Sequence, residues 1–273
     1  MSNSAAMLES RVTSPMLPTA AKRPARDTAR WFFVWMAGAC AFIAFAGFAP
    51  TFWLQLPART FVGSPLLYLH GLLFSAWTLF FLLQTTFVAR GRVYRHRAWG
   101  LLGISLATAM VLVGFAAANE VLSKRLAAGF GDRARAFHIA STSLVTLFGV
   151  LVFAAIATVT RPEVHKRLML LATISVIPPA IARLFFAFSV GVGPGLRPGL
   201  GPPRTVESVL VPSLIADALI LVGLIQDWRT RGRPHPAYLI GGATIVAVQV
   251  LRDPMSTTHW WYSIADFLAR FNG

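Results

Sequence analysis

Long blocks of hydrophobic residues follow one another along this chain, with shorter polar segments between them. Seven apolar runs are separated by connections that each contain arginine, and all but the last run reach the ~20 residues that a helix needs to cross a bilayer. Within each run the apolar positions are continuous rather than alternating, which favours helices over the strands of a membrane barrel. The pattern predicts an all-α integral membrane protein with seven transmembrane helices: Trp31–Leu54, Leu66–Ala89, Ala98–Leu122, Ala136–Thr160, Leu168–Val190, Val206–Gln226 and Ala237–Leu251.

Polar segments flank the predicted membrane domain, which covers residues 31–254. Residues 1–30 are rich in Pro, Ala, Ser and Arg, a composition that predicts a disordered cytoplasmic tail. Residues 255–273 contain two tryptophans and a tyrosine, which are enriched at membrane–water interfaces, so this tail is expected to be an interfacial helix. The longest connection, residues 191–205, is so rich in Gly and Pro that no regular structure is expected there.

Composition and charge exclude a soluble domain and orient the spans. The mean hydropathy is +0.63, and 56% of residues are hydrophobic while only 13% are charged. When the seven spans alternate, 15 of the 25 Lys and Arg residues fall on the side of the N-terminus and 9 on the other. Because cytoplasmic loops carry an excess of Lys and Arg, the N-terminus is expected in the cytoplasm. The net charge of +15 is spread over short loops that meet anionic lipid, so nucleic-acid binding is not expected.

Two stretches of the chain repeat each other. His70–Phe80 aligns with His138–Phe148, 68 residues further on, and the His, Ser, Thr, Leu and Phe positions match in register. At an offset of 69 residues, His96-Arg97 matches His165-Lys166. A parallel repeat of helical hairpins explains this pattern. It predicts a four-helix core at residues 66–190, formed by predicted helices two to five, with helices one, six and seven at its periphery.

The repeat places four histidines in two layers. His70 and His138 fall at one end of the predicted core, and His96 and His165 fall at the other. Two imidazoles at one depth on facing helices can ligate a haem iron, and bundle cores are usual places for such sites. The pattern predicts one haem b on each pair and a path for electrons across the bilayer, with a redox partner or a quinone at its ends. Each histidine can instead belong to a basic interfacial belt without a ligand.

The arrangement of these four histidines resembles that of cytochrome b561. Members of that family carry two haems in a four-helix core, on histidine pairs from alternate helices. The resemblance rests on topology and implies that His70 pairs with His138 and that His96 pairs with His165.

Short motifs around the histidines resemble a second group. Leu69-His70-Gly71, His96-Arg97-Ala98-Trp99-Gly100 and His165-Lys166-Arg167-Leu168-Met169 are similar to bacterial multi-pass membrane proteins of a domain-of-unknown-function class. The resemblance covers most of residues 66–240. It implies a location in the bacterial inner membrane and no assigned activity.

Two ionisable residues lie inside predicted spans, where charges are costly and are candidates for function. Arg183 is in predicted helix five and Asp217 in predicted helix six, at depths that an arginine side chain can bridge. The sequence predicts an ion pair between them, near a kink at Pro178-Pro179. A substrate anion, a haem propionate or a proton path would give this pair a function. The alternatives to a haem carrier are therefore a haem-free small-molecule transporter and a membrane assembly factor.

Several kinds of chemistry are excluded by the sequence. Cys40 is the only cysteine, which excludes an internal disulfide, a dithiol redox pair and covalent c-type haem attachment. The three lysines, Lys22, Lys124 and Lys166, lie outside the predicted spans, so a retinal Schiff base is excluded. Phosphate-binding, nucleophile-elbow and zinc-protease motifs are absent from the sequence. No catalytic residues are assigned, and whether the chain is an enzyme stays open.

Overall fold

The chain folds into helices throughout the part that the computed structural model describes, which is residues 24–190 and 201–270. A π-helical turn at Ala49–Trp53 extends the first helix, and a 3-10 turn at Glu207–Val209 precedes the eighth. No strand is found in these two ranges, as the continuous apolar runs predicted. The α-helices are α1 (Pro24–Phe48), α2 (Pro65–Ala89), α3 (Val93–Ala98), α4 (Gly100–Ala127), α5 (Gly131–Ala157), α6 (Pro162–Ser175), α7 (Pro178–Val190), α8 (Leu210–Arg231), α9 (Pro236–Ser256) and α10 (His259–Ala269).

Six helical segments in the described ranges are long and apolar enough to cross a membrane, so this is a multi-pass membrane protein. The seventh predicted span is helical as α9, but it is not one of these six. Its last turns contain Gln249, Arg252 and Asp253, which lower its hydropathy. The six segments are Trp31–Trp53, Pro65–Ala89, Gly100–Ala127, Gly131–Ala157, Pro162–Ser189 and Glu207–Arg231.

The predicted kink at Pro178-Pro179 is confirmed as a break between two helices. Helix α6 ends at Ser175 and α7 begins at Pro178 within the same membrane-spanning segment. Proline has no N–H to donate and its ring clashes with the preceding turn, so the α-helical bonding stops here. A tighter turn closes the end of α6, where the Ile177 N–H donates to the Ile174 carbonyl at 3.0 Å.

Both ends of the described chain are helical. Helix α1 begins at Pro24, so residues 24–30 are helical and the predicted disordered tail is too long by this amount. Residues 1–23 and 191–200, which contain the rest of that tail and most of the predicted 191–205 loop, lie outside the described residues. In the C-terminal tail, α10 is the helix that its aromatic residues predicted.

Helix α10 is held against the ends of α4 and α5. The Trp261 indole N–H donates to the Arg135 carbonyl at 2.7 Å. The Arg135 guanidinium in turn donates to Asp266 of α10 at 2.7 Å. Leu122 and Ala265 are buried in the small apolar cluster between these helices. This end of the bundle is therefore capped by protein.

Helix α1 belongs to the core, although it was expected at the periphery. Met36 and Cys40 of α1 are buried in the same cluster as Trp77 of α2 and Phe148 of α5. The Trp77 and Phe148 rings meet edge to face at 5.1 Å, and the Trp77 indole N–H donates to Thr173 Oγ1 of α6 at 3.2 Å. Side chains from α1, α2, α5 and α6 thus share one interior, and a core made of predicted helices two to five alone is not confirmed.

We expect Gly47→Leu to destabilise the protein by roughly 1–3 kcal/mol, since overpacking a tight contact forces backbone shifts. A Cβ at Gly47 of α1 would lie 2.6 Å from the backbone carbonyl carbon of Ala180 in α7, which cannot move aside as a side chain can. A Cβ at Gly38, on the same helix, would have nothing within 4 Å, so Gly38→Leu is the matched control. Denaturing-detergent titration of both variants in mixed micelles measures the difference. Equal losses for the two variants would contradict close α1–α7 packing.

Candidate histidine site and buried polar groups

His96 and His165 come together at the end of the bundle that carries the arginine-rich connections Arg90–Arg97, Arg161–Arg167 and Arg229–Arg233, which we call the basic end. Their ring centroids are 6.3 Å apart and their ring planes are inclined by 72°. This is one of the two histidine pairs that the repeat predicted.

A tight turn after α2 positions His96. Gly91 adopts a left-handed conformation with φ of 74°. The Gly91 N–H donates to the Val88 carbonyl at 3.0 Å, and the Arg92 N–H donates to the Phe87 carbonyl at 2.8 Å. These two bonds form a Schellman motif, which ends α2 and turns the chain back into α3. His96 is thereby carried towards the start of α6, where His165 lies.

Each imidazole is fixed through its Nδ1 atom. His165 Nδ1 lies 2.8 Å from the Ala155 carbonyl oxygen, an atom that only accepts, so Nδ1 carries the proton and donates. His96 Nδ1 lies 2.6 Å from Oε1 of the buried Gln84 and has the same tautomer when this oxygen accepts. No hydrogen bond to either Nε2 atom is found in the part of the chain that the structure describes. Each Nε2 atom is therefore left without a hydrogen-bond partner among the described residues, and an orienting acceptor behind the ring is typical of metal-binding histidines.

The surroundings of His96 favour its neutral form. Burial lowers its pKa below the usual value of 6.5, and the nearby His165 and Arg97 lower the pKa further. A neutral imidazole is the form that binds a metal. Near neutral pH, His96 is therefore ready to act as a ligand.

A buried ion-pair network lies beside the histidines and was missed by the sequence analysis. Arg167 and Asp227 are only 2% and 4% exposed. Arg167 Nε donates to Asp227 Oδ2 at 2.8 Å, and Nη2 makes a second bond to Oδ1. Arg167 Nη1 also donates to Glu163 Oε2 at 2.7 Å, and the His235 N–H donates to Asp227 Oδ2 at 3.0 Å. The network joins α6, α8 and the start of α9. The signal for it was a lone acidic residue, Asp227, at the end of an apolar run and just before Arg229, Arg231 and Arg233.

The other predicted pair, His70 and His138, is not joined. The His70 ring packs on Phe74 with centroids 4.2 Å apart, and its Nδ1 is buried without a hydrogen-bond partner. His138 is buried and its ring lies 6.0 Å from that of Trp261 in α10. Among the described residues no ring contact links the two histidines.

The predicted ion pair between Arg183 and Asp217 is wrong. The Arg183 guanidinium lies over the Phe48 ring of α1, 4.5 Å from its centroid, and within the described ranges it is in no ion pair. Asp217 Oδ1 instead accepts a hydrogen bond from Gln249 Nε2 of α9 at 3.3 Å. Helix α7 directs Arg183 towards α1 rather than α8.

His96 and His165 are the metal-ligating side chains that the described residues bring together at this site. In residues 24–190 and 201–270, no group of three or more His, Cys, Asp or Glu side chains is placed to hold a metal ion. A structural zinc site needs four protein ligands. The pair therefore fits a group that brings its remaining metal ligands with it.

Comparison with known proteins gives no further guide: no family model, no curated protein and no solved structure matches this chain.

Proposed function

We propose that this multi-pass membrane protein binds one haem b, with His96 and His165 as its axial ligands, and exchanges single electrons with a partner at the basic end. The observation that carries the proposal is the approach of the two rings to 6.3 Å, each fixed through Nδ1. In keeping with the excess of Lys and Arg there, we place the basic end at the cytoplasmic face of a bacterial inner membrane.

The spacing of the rings agrees with one metal ion between them. A metal–imidazole bond is about 2.0–2.1 Å, so the centres of two rings on opposite sides of one ion lie roughly 6 Å apart. His96 and His165 would hold the haem iron, and the bound group would supply one-electron chemistry rather than a vacant position for oxygen.

The neighbouring residues have separate roles in this proposal. Gln84 and Ala155 orient the two rings through Nδ1. Arg97, which follows His96 in sequence, would supply positive charge for the haem propionates. Because one haem at one end does not span a bilayer, electrons are exchanged on this side, with a protein partner or with a quinone in the membrane.

A haem-free transporter is the competing proposal. Arg183 supports it, because a cation within a membrane-spanning segment that faces an aromatic ring and forms no ion pair among the described residues is suited to a substrate anion. The two proposals predict different properties for the purified protein.

The test is the absorption spectrum of the full chain, expressed with a haem precursor and purified in mild detergent. We expect a reduced-minus-oxidised difference spectrum of the b type and one extractable haem per chain. A colourless protein that also fails to bind added haemin would overturn the proposal and leave the transporter as the better explanation.

A further inference from the structure

A polar pair lies inside the membrane domain, between α8 and α9. Asp217 and Gln249 are 8% and 6% exposed, and one hydrogen bond joins them, from Gln249 Nε2 to Asp217 Oδ1 at 3.3 Å. The second oxygen of each group, Asp217 Oδ2 and Gln249 Oε1, is buried and has no hydrogen-bond partner. Neither residue belongs to the histidine site.

The two unpartnered atoms pose one chemical problem. A carboxylate oxygen and an amide oxygen both accept hydrogen bonds, and neither can donate to the other. Turning the amide of Gln249 over does not help, because it would set an amide oxygen against Asp217 Oδ1 instead. A single proton on Asp217 converts Oδ2 into a donor and gives both orphaned oxygens a partner.

The charged neighbours do not supply that partner. Arg252, one turn after Gln249 on α9, donates through Nη2 to Ser213 Oγ at 3.0 Å and to the Val209 carbonyl at 3.2 Å. On α7, the Arg183 guanidinium is turned to Phe48, and on α6, Arg167 is bonded to Asp227 and Glu163. Asp217 forms no ion pair within the described part of the chain.

A groove connects Asp217 with the outside of the helix pair. It lies between α8 and α9 and has a volume of about 340 Å³. Asp217 lines it together with Tyr238, whose hydroxyl is also buried without a hydrogen-bond partner. The rest of the groove is lined mostly by apolar side chains such as Leu221 and Leu239, in whose company an ionised carboxylate is costly.

We propose that Asp217 is a proton-binding site within the membrane: its Oδ2–H donates to Gln249 Oε1 while Gln249 Nε2 donates to Oδ1, so that two hydrogen bonds close a ring between α8 and α9. Release of the proton to water leaves a carboxylate that forms no ion pair in the described part of the chain. The site binds and releases H⁺ only, and no other bond is made or broken. It is independent of the proposed haem.

Infrared spectroscopy of the full chain in lipid tests this site through the carbonyl stretching band of a protonated carboxyl group. In the wild type we expect this band at neutral pH. Its frequency should shift in heavy water, and the band should disappear at high pH. Asp217→Asn should lack the band from the start. Asparagine can form the same two hydrogen bonds with Gln249, so this variant is expected to fold. Asp253→Asn, at an exposed neighbouring carboxylate, is the matched control and should keep the band.

Three outcomes would overturn the proposal. Identical spectra for the wild type and Asp217→Asn at neutral pH would show that Asp217 is ionised. Loss of the band when NaCl is added at constant pH would show a sodium site instead. An unchanged band frequency in Gln249→Leu would show that the amide does not accept the proton. His96→Ala gives the same infrared result if the two sites are independent, so failure here is distinct from failure of the haem proposal.

Discussion

Replacing His96 or His165 with alanine is expected to abolish haem binding. Removing a residue that only orients a metal ligand typically costs 10–100-fold in affinity, so loss of a ligand should weaken haem binding by more than roughly 100-fold. Each single substitution leaves the other imidazole with its Nδ1 bond, and neither side chain takes part in the buried ion-pair network. The measurement is haem per chain, by extraction and by the reduced-minus-oxidised spectrum, after purification in parallel with the wild type.

His259→Ala is the matched control for these variants. His259 is exposed at the start of α10, far along the chain from both proposed ligands, and should leave haem content unchanged. The double variant His70→Ala, His138→Ala should also keep its haem, because no ring contact joins these residues in the described structure. If the double variant lost half of the haem while His96→Ala lost the other half, two haems would be bound, as the sequence repeat predicted. If His96→Ala kept the full signal, the assignment of His96 as a haem ligand would be wrong.

The sequence repeat was informative about position along the membrane normal. It placed His96 and His165 at the same end because each follows a matched helix by nearly the same number of residues. It could not show that the rings meet. Their contact depends on the turn at Gly91 and on a side-chain amide from Gln84, which belong to the local geometry between α2 and α3.

Rotation about the helix axis was the property that the sequence did not reveal. In a soluble helix, the polar face shows which side is exposed, but lipid is as apolar as the protein interior and removes this signal. Depth alone therefore suggested the pair Arg183–Asp217, whereas the side chains face α1 and α9 respectively. The same lack of a polar face placed α1 at the periphery, although Met36 and Cys40 are in the core.

The buried ion pair at the basic end gives the largest expected effect on stability. Asp227→Ala should destabilise the protein by about 3–5 kcal/mol, because it leaves the guanidinium of Arg167 buried without its carboxylate. Glu163 cannot replace Asp227, since the Glu163 side chain is 49% exposed and already shares its carboxylate with Lys166 and Arg231. Denaturing-detergent titration in mixed micelles gives the change in the free energy of unfolding.

A second variant separates the cost of an unpaired charge from the value of the pair. In Arg167→Met, Asp227→Leu both charges are removed and apolar side chains fill much of the space, so stability should return to within about 1–2 kcal/mol of the wild type. Glu163→Gln, at the exposed member of the network, should cost less than about 1 kcal/mol of stability.

A loss of stability as large for the double variant as for Asp227→Ala would mean that the pair itself, including the bond from the His235 N–H to Asp227, holds α8 and α9 to α6. A small loss for Asp227→Ala would instead mean that water reaches Arg167, and the basic end would then be more open than its packing indicates.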